Sequence, residues 1–305
     1  MKYAMPFLAQ TAMDENLLLT ATSASAEPLR ARAPIGVFDS GMGGLSVVQE
    51  IQAYLPQETI IYLADTRHVP YGNRSDEEIR QLTANAVDWL YRQGCKAVVV
   101  ACNTASAFSL THLRERYGEN FPVIGLVPAV KPAVLKSQSK VMGVLATPGT
   151  LRGTLLQDVI EQVAVPHAVQ VLTAVSPALV PFVERGEQYS QACQDELYRV
   201  LKPLADVGAD HLVLGCTHYP FLRDSIQAVF GPQFVLVDSG VAVARQTGRV
   251  LASKNLTRPL NIPSDPLSRL NCYVTGEADL AQPIMNDLLP DSGKSVFIQV
   301  QHAIL

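Results

Sequence analysis

The chain has 305 residues, 48% of them hydrophobic and 17% charged, with a formal net charge of −4 at pH 7. Such a composition can bury a large core and excludes a disordered chain, and the length suits two domains of ordinary size. The mild negative charge excludes the basic face of a nucleic-acid binder, and no apolar run approaches the ~18 residues of a membrane span.

At the N-terminus, Ala24-Ser25-Ala26 has the look of a signal-cleavage site. The stretch before it does not: Pro6 and Gln10 interrupt the apolar part, Asp14 and Glu15 follow, and Leu17–Leu19 is too short for an apolar core. Residues 1–33 are therefore expected to be a flexible extension, and the protein to be cytoplasmic.

Beyond it, short apolar runs alternate with helical patterns. Residues 35–39, 59–64, 96–102 and 122–126 read as buried strands, because runs of Val and Ile without alternation suit a parallel sheet covered on both faces. A helix is expected from Ser75 to about Gly94. It opens on the capping box Ser75-x-x-Glu78 and carries Ile79, Leu82, Ala86 and Leu90 at helical spacing. A second set of strands follows at 141–146, 169–172, 211–216 and 234–237, with helical stretches after Thr150, Ser190 and Leu222. This alternation predicts an α/β fold with mainly parallel sheets and right-handed crossovers, in two similar domains facing a central cleft.

The two sets match internally. Ala97-Val98-Val99-Val100-Ala101 runs into Cys102-Asn103-Thr104, and His211-Leu212-Val213-Leu214-Gly215 runs into Cys216-Thr217-His218. Each cysteine stands where a strand ends and a turn or helix begins, which is where open α/β sheets bind ligands. Cys95, Cys193 and Cys272 lack that setting and read as small buried hydrophobes.

One reactive thiol would suggest a nucleophile; two in matched settings suggest proton transfer at both faces of a carbon. A helix N-terminus at Cys102 and His218 beside Cys216 would both favour thiolate. Around them lie short polar side chains suited to holding carboxylates: Asp39, Ser40, Asn103, Thr104, Thr147, Thr150 and Thr217. The turn Pro70-Tyr71-Gly72 could add backbone donors. The expected ligand is a small polar acid.

Other chemistries fit less well. Gly41-Met42-Gly43-Gly44 hints at a dinucleotide loop, but the third glycine of that fingerprint falls on Ser46, and no phosphate-binding Lys motif occurs. Cys216 and His218 could ligate a metal, but no second pair stands at ligand spacing. Glu184 is by spacing alone a helix carboxylate.

Five stretches closely resemble the cofactor-independent glutamate racemases of the Asp/Glu racemase superfamily: residues 35–44, Pro70-Tyr71-Gly72, residues 102–106, Ala146-Thr147-x-x-Thr150 and residues 215–220. The resemblance runs from about Pro34 to at least Val250. It implies two α/β domains, 34–126 plus 238–300 and 127–237, the C-terminal segment returning to complete the first. It also implies L- and D-glutamate as substrates and D-glutamate for bacterial peptidoglycan, with no pyridoxal phosphate, metal or nucleotide, and a homodimer. By the same resemblance Cys102 is the base acting on D-glutamate, assisted by Asp39. Cys216 acts on L-glutamate, assisted by Glu184 and His218. Ser40, Tyr71, Gly72, Asn103, Thr104, Thr147, Thr150 and Thr217 contact the substrate. The family's Ser-x-x-Tyr stretch after Thr150 is absent here; Leu151-Arg152-Gly153-Thr154-Leu155 stands in its place. Racemisation of aspartate or a hydantoin, a cysteine hydrolase using Cys216 and His218, and an amino-acid-binding module remain as alternatives.

Overall fold

The computed structural model describes residues 29–260, 270–289 and 300–305, so most of the expected N-terminal extension lies outside the described residues. Its last residues, from Leu29, close a helical turn tied to the body. Lys96 Nζ donates to the Ala31 carbonyl and an Arg258 guanidinium nitrogen to that of Arg32, both at 2.8 Å.

The first unit runs β1 (Ile35–Asp39), α1 (Leu45–Tyr54), β2 (Ile60–Ala64), α2 (Asp76–Arg92), β3 (Ala97–Val100), α3 (Asn103–Tyr117) and β4 (Val123–Gly125). After α4 (Val130–Lys136) come β5 (Val141–Ala146), α5 (Pro148–Arg152), α6 (Thr154–Val159), β6 (Gln170–Val175), α7 (Leu179–Glu184), α8 (Gln191–Asp206), β7 (His211–Gly215), α9 (Arg223–Phe230) and β8 (Val235–Val237). The chain then returns through α10 (Gly240–Ser253), β9 (Leu270–Val274), α11 (Ala278–Leu288) and β10 (Val300–His302).

Every strand pairing is parallel. One sheet has the order β10-β9-β2-β1-β3-β4 and the other β6-β5-β7-β8. The order β2-β1-β3-β4 is thus repeated by β6-β5-β7-β8, the architectural form of the internal sequence match. Strands β1, β3 and β7 are buried at every position, because helices cover both faces; hence they are rich in Val, Ile and Leu and do not alternate with polar residues.

Strand ends depart from expectation by small amounts with clear causes. The run expected to reach Cys102 leaves the ladder after Val100, because Cys102 already caps α3. The run expected over 169–172 is β6, which extends to Val175. It lies at the sheet edge and is mostly part-exposed, so its apolar pattern stops before its ladder with β5 does. The strands β9 and β10 carried no separate signal. β9 lies beside β2, with Leu270 opposite Ile60, and completes the first sheet.

Helix starts follow their caps. Ser75 Oγ accepts from Glu78 N at 3.3 Å, and three acidic residues in the first turn of α2 complement its dipole. The helix expected after Thr150 starts earlier: Thr147 Oγ1 accepts from Thr150 N at 3.2 Å, with Pro148 in the first helical position. Helix α10 packs on α1, returning the chain to the first sheet. Among the described residues no helix is long and apolar enough to cross a membrane.

Candidate active site

The carboxyl ends of β1, β3, β5 and β7 converge on a cavity between the two sheets. Its wall is made by Ser40, Pro70, Tyr71, Gly72, Cys102, Asn103, Thr104, Thr147, Val180, Cys216, Thr217 and His218. All but Val180 are residues singled out in the sequence. Val180, on α7, forms apolar wall, and nothing in sequence separates such a residue from ordinary core. Asp39, Thr150 and Glu184 sit behind the wall and act through their neighbours.

The first thiol is set by the end of β3. Cys102 is the N-cap of α3; its Sγ accepts from Ala105 N at 3.4 Å and lies 3.5 Å from Ser40 Oγ. A helix N-terminus favours thiolate, but here burial, and after it the carboxylate of Asp39, push the Cys102 thiol well above its ordinary range. The expected lowering is therefore outweighed, and this thiol holds its proton. The hydroxyl in contact with Cys102 is that of Ser40; Asp39 reaches it through its field.

The second thiol has a different neighbour. Cys216 Sγ lies 3.6 Å from His218 Nδ1, and His218 Nε2 lies 2.5 Å from Glu184 Oε1. Burial opposes charge on the imidazole, but contacts with Cys216 and Glu184 outweigh it and hold His218 well above its usual pKa. The ring is a protonated donor placed against one thiol. Glu184 Oε1 also accepts from Met42 N at 2.6 Å, joining the end of α7 to the loop after β1.

That loop explains its own glycines. A Cβ on Gly43 would collide with the His218 ring, and one on Gly41 with the Glu184 carboxylate. The G-M-G-G run is bare because the histidine and carboxylate of the other unit lie flat against it.

Asp39 is fully buried. Its Oδ2 accepts from Gly44 N at 2.6 Å and from Thr217 Oγ1 at 3.2 Å, while Oδ1 has no partner. Burial pushes its pKa up to about 6, with His218 pulling down and Glu184 pushing up. Asn103 Nδ2, on the cavity wall, is likewise buried without a partner. A buried donor left open in this way is available to an incoming carboxylate.

Three threonines join the units. Thr104 Oγ1 lies 2.8 Å from Thr147 Oγ1, and Thr150 Oγ1 lies 3.0 Å from Thr147 Oγ1 and 3.4 Å from that of Thr104. Thr150 orients the other two from behind the wall. Tyr71 donates its hydroxyl to Asp65 Oδ2 at 2.6 Å, and Thr275 donates to Oδ1 at 2.5 Å. Asp65 thus fixes the Pro70-Tyr71-Gly72 turn, a role no sequence motif signalled.

Two parallel α/β units, each turning one strand-end cysteine into a shared polar cavity, place the protein in the class of two-lobed α/β racemases. The fold is similar to that of glutamate racemase isoform RacE1 of Bacillus anthracis, at 30% identity and a TM-score of 0.75, covering 90% of this chain and 98% of that one. It is also similar to the Escherichia coli glutamate racemase solved with L-glutamate and the activator UDP-MurNAc-ala, at 31% identity and a TM-score of 0.74, covering 88% and 97%. In sequence the chain is 65% identical over 237 residues to a glutamate racemase of Deinococcus radiodurans, covering 77% of this chain and 81% of that one. The family model described as Asp/Glu/Hydantoin racemase matches residues 35–247, and the chain belongs to that family.

Proposed function

We propose that this chain interconverts L- and D-glutamate by proton transfer between two thiols, supplying D-glutamate for peptidoglycan synthesis. The observation that carries the mechanism is the placement of Cys102 and Cys216, which reach the same cavity from equivalent positions in two topologically equivalent units. The 65% identity to a glutamate racemase supports glutamate as the substrate. The short polar side chains that line the cavity suit a small acid.

In the D-to-L direction Cys102, as a thiolate once its own proton has passed to Asp39, removes the α-proton. The electron pair of the C–H bond moves onto the carboxylate, giving an enediolate-like anion, and Cys216 returns a proton on the opposite face. The reverse direction exchanges these roles, so the enzyme returns to its starting state only after both thiols have exchanged protons. His218, held by Glu184, keeps a positive charge beside Cys216. Asp39, buried with its Oδ1 unpartnered, assists Cys102 as the acceptor of the thiol proton. Asn103, Ser40, Thr104, Thr147 and Thr217 hold the carboxylates, and the Pro70-Tyr71-Gly72 turn closes the wall, with Thr150 behind it. The same proposal includes a homodimer, cytoplasmic location, and the division into domains 34–126 plus 238–300 and 127–237.

The test is racemisation of L-glutamate in D₂O with a thiol reductant and EDTA and no added cofactor. Loss of optical rotation with one α-deuterium in the D-glutamate formed is expected. Folded protein that changes neither rotation nor mass would refute the activity, and turnover lost with EDTA and restored by zinc would refute the mechanism.

A further inference from the structure

After Thr150, where the family's Ser-x-x-Tyr stretch is absent, this chain carries Arg152, the last residue of α5. Its guanidinium leaves the second unit and reaches the first. One nitrogen donates to the Gly72 carbonyl at 3.2 Å, and another to the Arg74 carbonyl at 2.8 Å. The second also meets Asp76 Oδ1 at 3.3 Å, and the guanidinium lies 5.7 Å from the centroid of the Phe108 ring. Gly72 is a wall residue of the cavity, so Arg152 grips the segment that closes it.

The surfaces beneath that grip meet at close range. Helix α5 approaches α3 and the 71–73 turn through a bare glycine: a Cβ on Gly149 would stand 2.6 Å from Thr104 Cγ2 and 3.2 Å from the Gly72 oxygen. Such a contact needs backbone to meet backbone and buries few apolar atoms. The sites themselves are shut: Cys102 and Cys216 are 5% and 7% exposed. A substrate reaches them only if the units part, and on this side parting breaks the hydrogen bonds of Arg152 and the threonine cluster.

We infer that Arg152 is a latch between the two units: its forked hydrogen bonds to the Gly72 and Arg74 carbonyls favour the closed cavity, and so set substrate affinity without touching substrate. The inference rests on the functional reading above for its kinetic consequences only. Apparent affinity scales with the fraction of protein in the binding-competent state, so losing charged hydrogen bonds that are partly screened by solvent should open the cavity up to ~10-fold more often and weaken affinity by less. Lysine offers a charge without the fork and should recover only part of the effect.

The test compares wild type with Arg152→Gln and Arg152→Lys in the full chain. Steady-state kinetics is run on both glutamate enantiomers. The second readout is the rate at which a bulky disulfide reagent labels the cleft thiols, assigned by peptide mass. Arg152 is 42% exposed in its side chain, so the variants should fold; thermal unfolding checks this. For Arg152→Gln the expected result is up to ~10-fold faster labelling of Cys102 and Cys216, a smaller rise in KM for both enantiomers and a still smaller change in kcat, with Arg152→Lys between. KM or labelling rate left at the wild-type value overturns the latch. A wild type that turns over no glutamate refutes the functional reading, and the labelling rates then decide the latch alone.

Discussion

Replacing Asp39 with asparagine should make the protein more stable and less active at neutral pH. Asp39 is wholly buried, and its pKa is raised from 3.8 to about 6 with burial as the main cause. The folded protein thus binds the carboxyl proton more tightly than the unfolded chain. Its contribution is fully present below pH ~4 and is lost as pH rises through ~6. A shift of about two units is worth ~3 kcal/mol. At pH 7 the fold therefore carries an ionised group that costs it ~3 kcal/mol. Asparagine removes the charge while its oxygen can still accept from Gly44 N and Thr217 Oγ1. We expect Asp39→Asn to gain ~1–3 kcal/mol at pH 7 and close to nothing at pH 4. Calorimetry across that range should show the midpoint rising by several degrees at pH 7, at ~2–4 °C per kcal/mol. Racemisation should fall by ~10²-fold or more, the order of a lost acid–base partner. A variant less stable than wild type at pH 7, or a difference flat between pH 4 and 7, would refute the burial argument.

Cys102→Ala and Cys216→Ala should each abolish racemisation with unchanged circular dichroism, and full activity in either would end the two-thiol reading. Gly43→Ala drives a methyl group into the His218 ring. It should slow α-deuterium exchange into L-glutamate by ~10–100-fold and exchange into D-glutamate much less. Equal losses would mean that His218 does not serve Cys216 in particular. Lys96 and Glu58 form an ion pair whose side chains are both 0% exposed. Lys96→Met should cost ~3–5 kcal/mol in thermal unfolding because it strands the carboxylate, and Lys96→Met with Glu58→Gln should recover most of that.

The fold was legible because its central strands are buried on both faces and therefore largely apolar, and because the chain states its plan twice. The thiols were legible for the same reason: a cysteine ending a strand is unremarkable once, but informative at two equivalent positions. What escaped depends on contacts far apart in sequence. Glu184 is an ordinary helix carboxylate until α7 delivers it to His218. Asp65 holds Tyr71 while Thr275, more than two hundred residues on, donates to its other oxygen. The direction of the Cys102 shift was also hidden, since a helix N-terminus can be read from sequence but burial beside a second buried carboxylate cannot. Likewise β9 and β10 are too short, and too weakly patterned, to stand out without the partner strand they complete.

The pairing of β9 with β2 has a consequence for how the chain is made. A ribosome releases β2 long before β9: roughly 200 residues separate them, on the order of 10–40 s of synthesis. Through that interval β2 is a bare sheet edge, with its backbone donors and acceptors unpaired. The unit holding β5 to β8 is continuous in sequence and can close meanwhile. The half that begins the chain is therefore the last to be finished, and nascent chains cut short before residue 270 should aggregate through that open edge.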